Sequence, residues 1–343
     1  PVMGGYCEAP WDQRTCEIEP NANFVFSHTR NDALIACDHH VENANSYNEE
    51  DFPFLTAELG GGLQVTMHRR PVAKGCDVGA MSTVKMGSGA GLLGYYMYHG
   101  GSNPKGKLST LQESRATGYL NDLPEINYDF NAPIRQYGTI SDSYREIKLL
   151  ALFLNDFGED MASLRSEIPT IRILPGDMHT VRTACRHDAD HGYVFFNNYQ
   201  RRWKMDDHPQ VKLEGLLDGK ASVGFPAFDL KGGMYGFFPY NMKLNDAVLQ
   251  TALATPLCVL HTKEGDAFVF YGDLGPQIQW EGDARAELCL ISRQEALNAW
   301  KVHLDQDYLV LSENYVWEEN GELVVTGSGK TMIAVYPVVE KGI

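Results

Sequence analysis

The run Phe52-Pro53-Phe54-Leu55-Thr56-Ala57-Glu58-Leu59-Gly60-Gly61-Gly62 carries the strongest constraint in the chain. A short apolar segment bounded by breakers reads as a buried strand. Glu58 falls where that strand ends. The three glycines let the backbone turn sharply and leave room beside the acid. Barrel enzymes place catalytic carboxylates at the C-terminal ends of buried parallel strands. The plainer alternative is a glutamate that closes the strand and pairs with Arg69 or Arg70.

A second apolar segment, Leu92-Leu93-Gly94-Tyr95-Tyr96-Met97-Tyr98, leads into His99-Gly100-Gly101-Ser102-Asn103. Between the two segments lies a helix candidate. Asp77 is placed to cap it, Met81 and Val84 form its apolar side, and Gly87 to Gly89 end it. The order strand, helix, strand implies a parallel crossover. Both strands then end on one side of the sheet, and Glu58 shares a face with the loop from His99 to Asn103. Further on, Ser143 opens a second helix with Glu146 as a capping box. Tyr144, Ile147, Leu150, Leu154 and Phe157 form its apolar face, and Gly158 is its expected stop.

Beyond about residue 160 the texture changes. Short apolar or alternating segments recur between turn residues, which reads as an all-β module of sandwich type. Asn320-Gly321 is a two-residue hairpin signal. At 343 residues the chain fits two or three domains, and the change of texture divides it into 1–160 and 161–343. Residues 1–51 read as a long loop with aromatics.

The formal net charge of −16 argues against nucleic acid and anionic membrane as partners, because both need a basic face. No apolar run reaches the roughly 18 residues of a membrane span. The seven cysteines, Cys7, Cys16, Cys37, Cys76, Cys185, Cys258 and Cys289, form no Cys-x-x-Cys pair. Free thiols are the expectation, which favours a reducing, cytoplasmic compartment. No phosphate-cradling glycine loop and no Gly-x-Ser-x-Gly elbow is present, so no cofactor is expected. His187, Asp188, Asp190 and His191 lack regular ligand spacing and read as a solvated turn, and no metal is expected. His39-His40 is equally weak.

What remains is a rim of carboxylates, aromatics and amides: Glu58, Tyr98, His99, Asn103, Tyr128 and Asp129. Aromatic faces cover the C–H side of a sugar ring, and amides and carboxylates meet its hydroxyls. Glycoside hydrolysis needs two carboxylates flanking the bond. Glu58 is one candidate, with Asp129 and Glu125 as nearby seconds; either second candidate also serves simply to hold a loop together.

At these residues the sequence resembles glycoside hydrolase family 35, the retaining β-galactosidases. The matching segments are Gly4-Gly5-Tyr6-Cys7-Glu8-Ala9-Pro10-Trp11, Thr56-Ala57-Glu58, Tyr96-Met97-Tyr98-His99-Gly100-Gly101-Ser102-Asn103, and Tyr128-Asp129-Phe130-Asn131-Ala132-Pro133 with Tyr137-Gly138. Asn197-Asn198-Tyr199-Gln200-Arg201 looks like the segment that follows the barrel in bacterial members. The resemblance implies the C-terminal part of a (β/α)8 TIM barrel followed by a β-sandwich-like domain. It makes Glu58 the nucleophile at the end of strand seven and Leu92–Tyr98 strand eight. The implied substrate is a terminal β-galactosyl residue, held by Tyr98, His99, Asn103, Tyr128, Asp129 and Phe130.

Three departures stand out. The family's acid/base glutamate sits in an Asn-Glu pair after strand four, which this chain lacks; its own pair, Asn48-Glu49, lies just before strand seven. Phe130 stands where the family often has tyrosine. Gly62-Leu63 stand where many members have tryptophan. Without strands one to six a barrel does not close, so residues 1–160 on their own are expected to be poorly ordered, and the β module to fold by itself. A non-catalytic carbohydrate-binding protein, or a retaining hydrolase for another β-linked sugar, is the alternative reading.

Overall fold

Strand β1 (Leu55–Gly60) and strand β2 (Leu92–Tyr96) pair in parallel, joined by helix α1 (Gly75–Gly87). This is the crossover that the order of the segments implies. The computed structural model describes residues 20–28, 51–63, 65, 72–108, 125–327 and 331–338. The Gly4–Trp11 segment, Cys7, Cys16, Cys37, His39-His40, Asn48-Glu49 and the Arg69/Arg70 pair lie outside them. Among the described residues no third strand joins β1 or β2 and no barrel is closed. Leu55 and Leu92, which face each other in the register, are each about half exposed.

Helix α1 is buried on nearly every side. Its polar residues are therefore satisfied internally: Ser82 donates to the Val78 carbonyl and Thr83 to the Gly79 carbonyl. The helix starts two residues before Asp77. Asp77 is thus not the cap itself; its carboxylate reaches back to the Lys74 N–H at 2.8 Å. It also accepts from the Tyr199 hydroxyl at 2.5 Å and from Arg201 Nε at 3.3 Å. The first turn of α1 is thereby tied to the segment that follows strand β7 (Gly192–Asn197).

Helix α2 (Asp142–Ser163) runs on through Gly158. Its expected stop fails because its end is held from elsewhere. Strand β6 (Arg182–His187) contributes Arg186, whose side chain is buried. The Arg186 guanidinium donates to Met161 and Leu164 at the end of α2, and to Met86 and Ala90 at the end of α1. Carbonyls at helix C-termini carry partial negative charge and lack intrahelical partners. One cation therefore finishes two helices. Burial pulls its pKa down to about 10, so it remains charged at neutral pH. Glu146 does not act in a capping box either; it accepts from Arg293 instead.

Beyond α2 the chain is nearly all strand. A six-stranded sheet has the order Gln279–Glu281, Ala247–Thr251, Tyr235–Leu244, β7, β6 and β5 (Arg165–Glu167). Its Met242, Leu244 and Leu249 share a core with Val259, Phe268 and Phe270 of a second, three-stranded sheet. Asn320 and Gly321, both at positive φ, turn the hairpin Tyr315–Glu319/Glu322–Thr326. The division drawn at residue 160 falls within the last turn of α2. A single core joins Phe26, Val84, Leu150 and Phe153 to Ala184, Phe195 and Phe237 of the six-stranded sheet. The four cysteines among the described residues are free thiols. No described helix is long and apolar enough to cross a membrane.

Between β6 and β7 the chain turns through residues 188–191. Asp188 accepts from the backbone N–H groups of Asp190 and His191, as the turn reading expects, but His187 is not part of a solvated turn: it lies buried at the end of β6 with Nε2 against Glu167. His191 also bonds Asp160 of α2 at 2.7 Å and lies 3.2 Å from Asp188. The hydrogen bond with Asp160, outweighing the opposing effect of burial, raises the imidazole above its ordinary 6.5. A raised folded-state pKa stabilises below the unfolded value and fades as pH rises through the folded one. His191→Gln should therefore cost more stability at pH 6 than at pH 8.5, measured by urea melts; an equal loss at both would contradict the assignment. Arg186→Met removes a donor from four carbonyls, two of which, Met86 and Met161, keep a backbone N–H partner, and should lower unfolding free energy by at least about 3 kcal/mol. A loss below about 1 kcal/mol would mean that the helix ends are satisfied otherwise.

Candidate functional site at the end of the parallel strand pair

The β1–β2 register slips between Thr56 and Leu59, so Ala57 and Glu58 form an irregularity in β1. Bulges re-aim side chains and are frequent beside active sites. Two groups hold this one. The Thr56 hydroxyl donates to the Leu92 carbonyl at 3.1 Å and accepts from the Gly94 N–H at 3.2 Å. Gly94 lies so close that a Cβ there would sit 2.5 Å from the Thr56 carbonyl oxygen. Glu58 is solvent-exposed, while its neighbours Thr56 and Leu59 are buried. Among the described residues its carboxylate has no hydrogen-bond or ion-pair partner.

The glycines after Glu58 do a different job from the one their sequence suggests. A Cβ at Gly61 would collide with the Met97 carbonyl oxygen, and one at Gly62 with the carbonyl of Phe130. The space is filled by backbone. The loops after β2 and around β4 (Asn127–Tyr128) close directly onto the end of β1. β4 itself pairs with β3 (Gly101–Ser102). Tyr98 and Gly100 exchange backbone bonds with Ile134, and the Asn103 N–H donates to Ile126. The rim is therefore one connected loop layer.

Within that layer the candidates divide. Tyr98 is 39 % exposed, with its ring near Tyr95 and Tyr144; burial of its hydroxyl end raises its pKa. His99 is exposed and its Nδ1 contacts the Gly100 carbonyl. Asn103 Nδ2 donates to the Glu125 carbonyl. Tyr128 shares a 2.8 Å hydroxyl contact with Tyr96. Phe130 packs at 4.6 Å from Tyr128 and edge-on to Tyr96. These three rings make an aromatic cluster at the end of β2, and Tyr96 is the member that sequence reasoning left out of the site. Its presence in the Tyr-x-Tyr segment was the available signal.

Asp129 is occupied. It accepts from Arg135 Nε at 2.6 Å, from the Gln136 N–H at 2.6 Å and from the Asn131 N–H at 3.3 Å. Burial pushes its pKa up, but the Arg135 hydrogen bond and these N–H groups win, and it lies below the ordinary value. The carboxylate staples the loop in which Phe130 and Asn131 both take positive φ. Phenylalanine rarely adopts that region, and strained residues cluster at functional sites. Gln136, also missed, links Asn127 and Ser102 across the layer. Among the described residues no group of histidines, cysteines and carboxylates is placed to hold a metal.

No protein-family model matches the chain, and no curated protein is similar enough to count as a relative.

Gly62→Ala should force Phe130 and Asn131 off the end of β1. Amide exchange at Ala132 and Ile134 should accelerate at least about tenfold, while the core of α1 keeps its protection. Unchanged exchange at those two amides would show that the loop layer does not depend on the glycine.

Proposed function

We propose that the chain is the C-terminal part of a retaining β-galactosidase of glycoside hydrolase family 35, with Glu58 as nucleophile. The observation that carries this reading is an exposed carboxylate, without a partner among the described residues, on an irregular strand end whose next residues, Gly61 and Gly62, abut the loops that carry Tyr98 and Phe130. A carboxylate nucleophile must be ionised and open to the anomeric carbon. Tyr98, His99, Asn103, Tyr128 and Phe130 then line the sugar subsite. Asp129 is assigned the role of positioning its loop. The half-exposed Leu55 and Leu92 suit a barrel completed by further strands, which would also bring the acid/base group.

In this mechanism Glu58 attacks the anomeric carbon and displaces the aglycone. Water then releases galactose from the glycosyl-enzyme. The acid/base group protonates the leaving oxygen in the first step and deprotonates the water in the second.

Carbohydrate binding without cleavage is a second reading, favoured by one fact: one of the two candidate second carboxylates, Asp129, is engaged by Arg135 and two backbone N–H groups. The two readings separate on one assay of the full-length polypeptide. A dinitrophenyl β-galactoside, whose leaving group needs no protonation, should release its phenolate, and Glu58→Gln should lower that release at least about 10³-fold. Retained release by the variant would exclude Glu58 as nucleophile. Saturable galactose binding with no release by the wild type would favour the binding reading.

A further inference from the structure

A cavity of about 500 Å³ lies outside the Glu58 rim, between the start of α1 and the two larger sheets. No rim residue lines it. Its walls include the rings of Phe196, Tyr235, Phe238 and Tyr271, with Leu253 and Leu274 beside them. At one end stands Arg293, at the start of the short helix α3 (Arg293–Leu297). Sites of this size and lining bind small molecules, with a few polar groups fixing orientation.

Arg293 is held from behind. Its Nη2 donates to both oxygens of Glu146 at 2.9 and 2.8 Å and to the Tyr235 hydroxyl at 2.9 Å. Gly79 of α1 makes room: a Cβ there would lie 2.6 Å from both Glu146 Oε2 and the Tyr235 hydroxyl. Nε and Nη1 of Arg293 have no acceptor among the described residues. Asp273, also lining the cavity, takes the Arg293 backbone N–H at 3.1 Å. The polar end therefore offers a donor and an acceptor side by side.

Three ligand classes can be weighed against this. A carboxylate is disfavoured, because Glu146 already balances the guanidinium, and Asp229 and Asp273 outnumber the lining's other cation, Lys231, which itself pairs with Asp207. A free sugar would bring a ring of hydroxyls against apolar walls, and each unsatisfied one costs about 1–3 kcal/mol. A flat apolar ring with one hydroxyl fits both ends. The hydroxyl accepts from Arg293 and donates to Asp273, while the ring lies among aromatic side chains.

We propose that this cavity is a binding site for a neutral aromatic ring bearing a single hydroxyl group, of the phenol or benzyl alcohol class. The site is separate from the Glu58 rim and does not depend on the glycosidase reading.

The test is calorimetric titration of this chain with phenol and benzyl alcohol, with benzoate and galactose as comparators. Saturable one-to-one binding of phenol is expected, at least about tenfold tighter than benzoate. Leu274→Trp and Met234→Trp each fill the cavity from a different wall and should weaken phenol at least tenfold. Glu58→Gln should leave it unchanged, which keeps this outcome independent of the rim. Either filling variant suffices, provided its melting curve matches that of the parent chain. Phenol binding that survives both substitutions, benzoate binding as tight as phenol, or no saturable phenol binding would each overturn the proposal.

Discussion

Two fully buried guanidinium groups on one strand hold this protein together. Arg186 closes the C-termini of α1 and α2. Arg182, two turns of the pleat earlier on β6, gathers the carbonyls of Phe24, Pro175, Asp177 and Tyr199. Among the described residues neither forms an ion pair; Arg186 is met by backbone carbonyls, and Arg182 by backbone carbonyls and the Gln200 Oε1. An unpaired buried charge is expensive, but fixed carbonyl dipoles at close range compensate it. The arrangement makes the helices and the six-stranded sheet mutually dependent. Removing either side would leave charge or carbonyls stranded.

That dependence positions the rim. α1 is clamped at its end by Arg186 and at its start by Asp77, Tyr199 and Arg201. The helix in turn packs beneath the paired strands β1 and β2, with Leu59, Leu93 and Tyr95 in its core. The Thr56 hydroxyl and Gly94 then hold the irregularity that exposes Glu58, and Gly61 and Gly62 admit the two loops that form the aromatic layer. A side chain in water is thus oriented by groups in the core.

Local features were legible in the sequence. The parallel crossover, the apolar face of α2 and the Asn320-Gly321 hairpin each follow from the period, segment order or turn chemistry of a continuous stretch. Apart from Asp77, which lies two residues inside α1 and not at its cap, the failures are long-range. Gly158 reads as a stop, yet α2 continues because Arg186 finishes it from the sheet. Glu146 reads as half of a capping box, yet its partner is Arg293, far along the chain. Gly60-Gly61-Gly62 reads as open space, whereas the last two are contact points for other backbone. Asp129 reads in the sequence either as a group for chemistry or as a loop holder; Arg135, six residues on, engages it. Nothing local marks Arg182 or Arg186 as different from a surface arginine.

Covalent trapping addresses the chemistry of the Glu58 carboxylate directly. The full-length polypeptide treated with an activated 2-deoxy-2-fluoro-galactoside should gain one fluorogalactosyl unit, and peptide mass spectrometry should locate it on Glu58. A label on any other carboxylate, or a fully active sample that gains none, would contradict Glu58 as nucleophile.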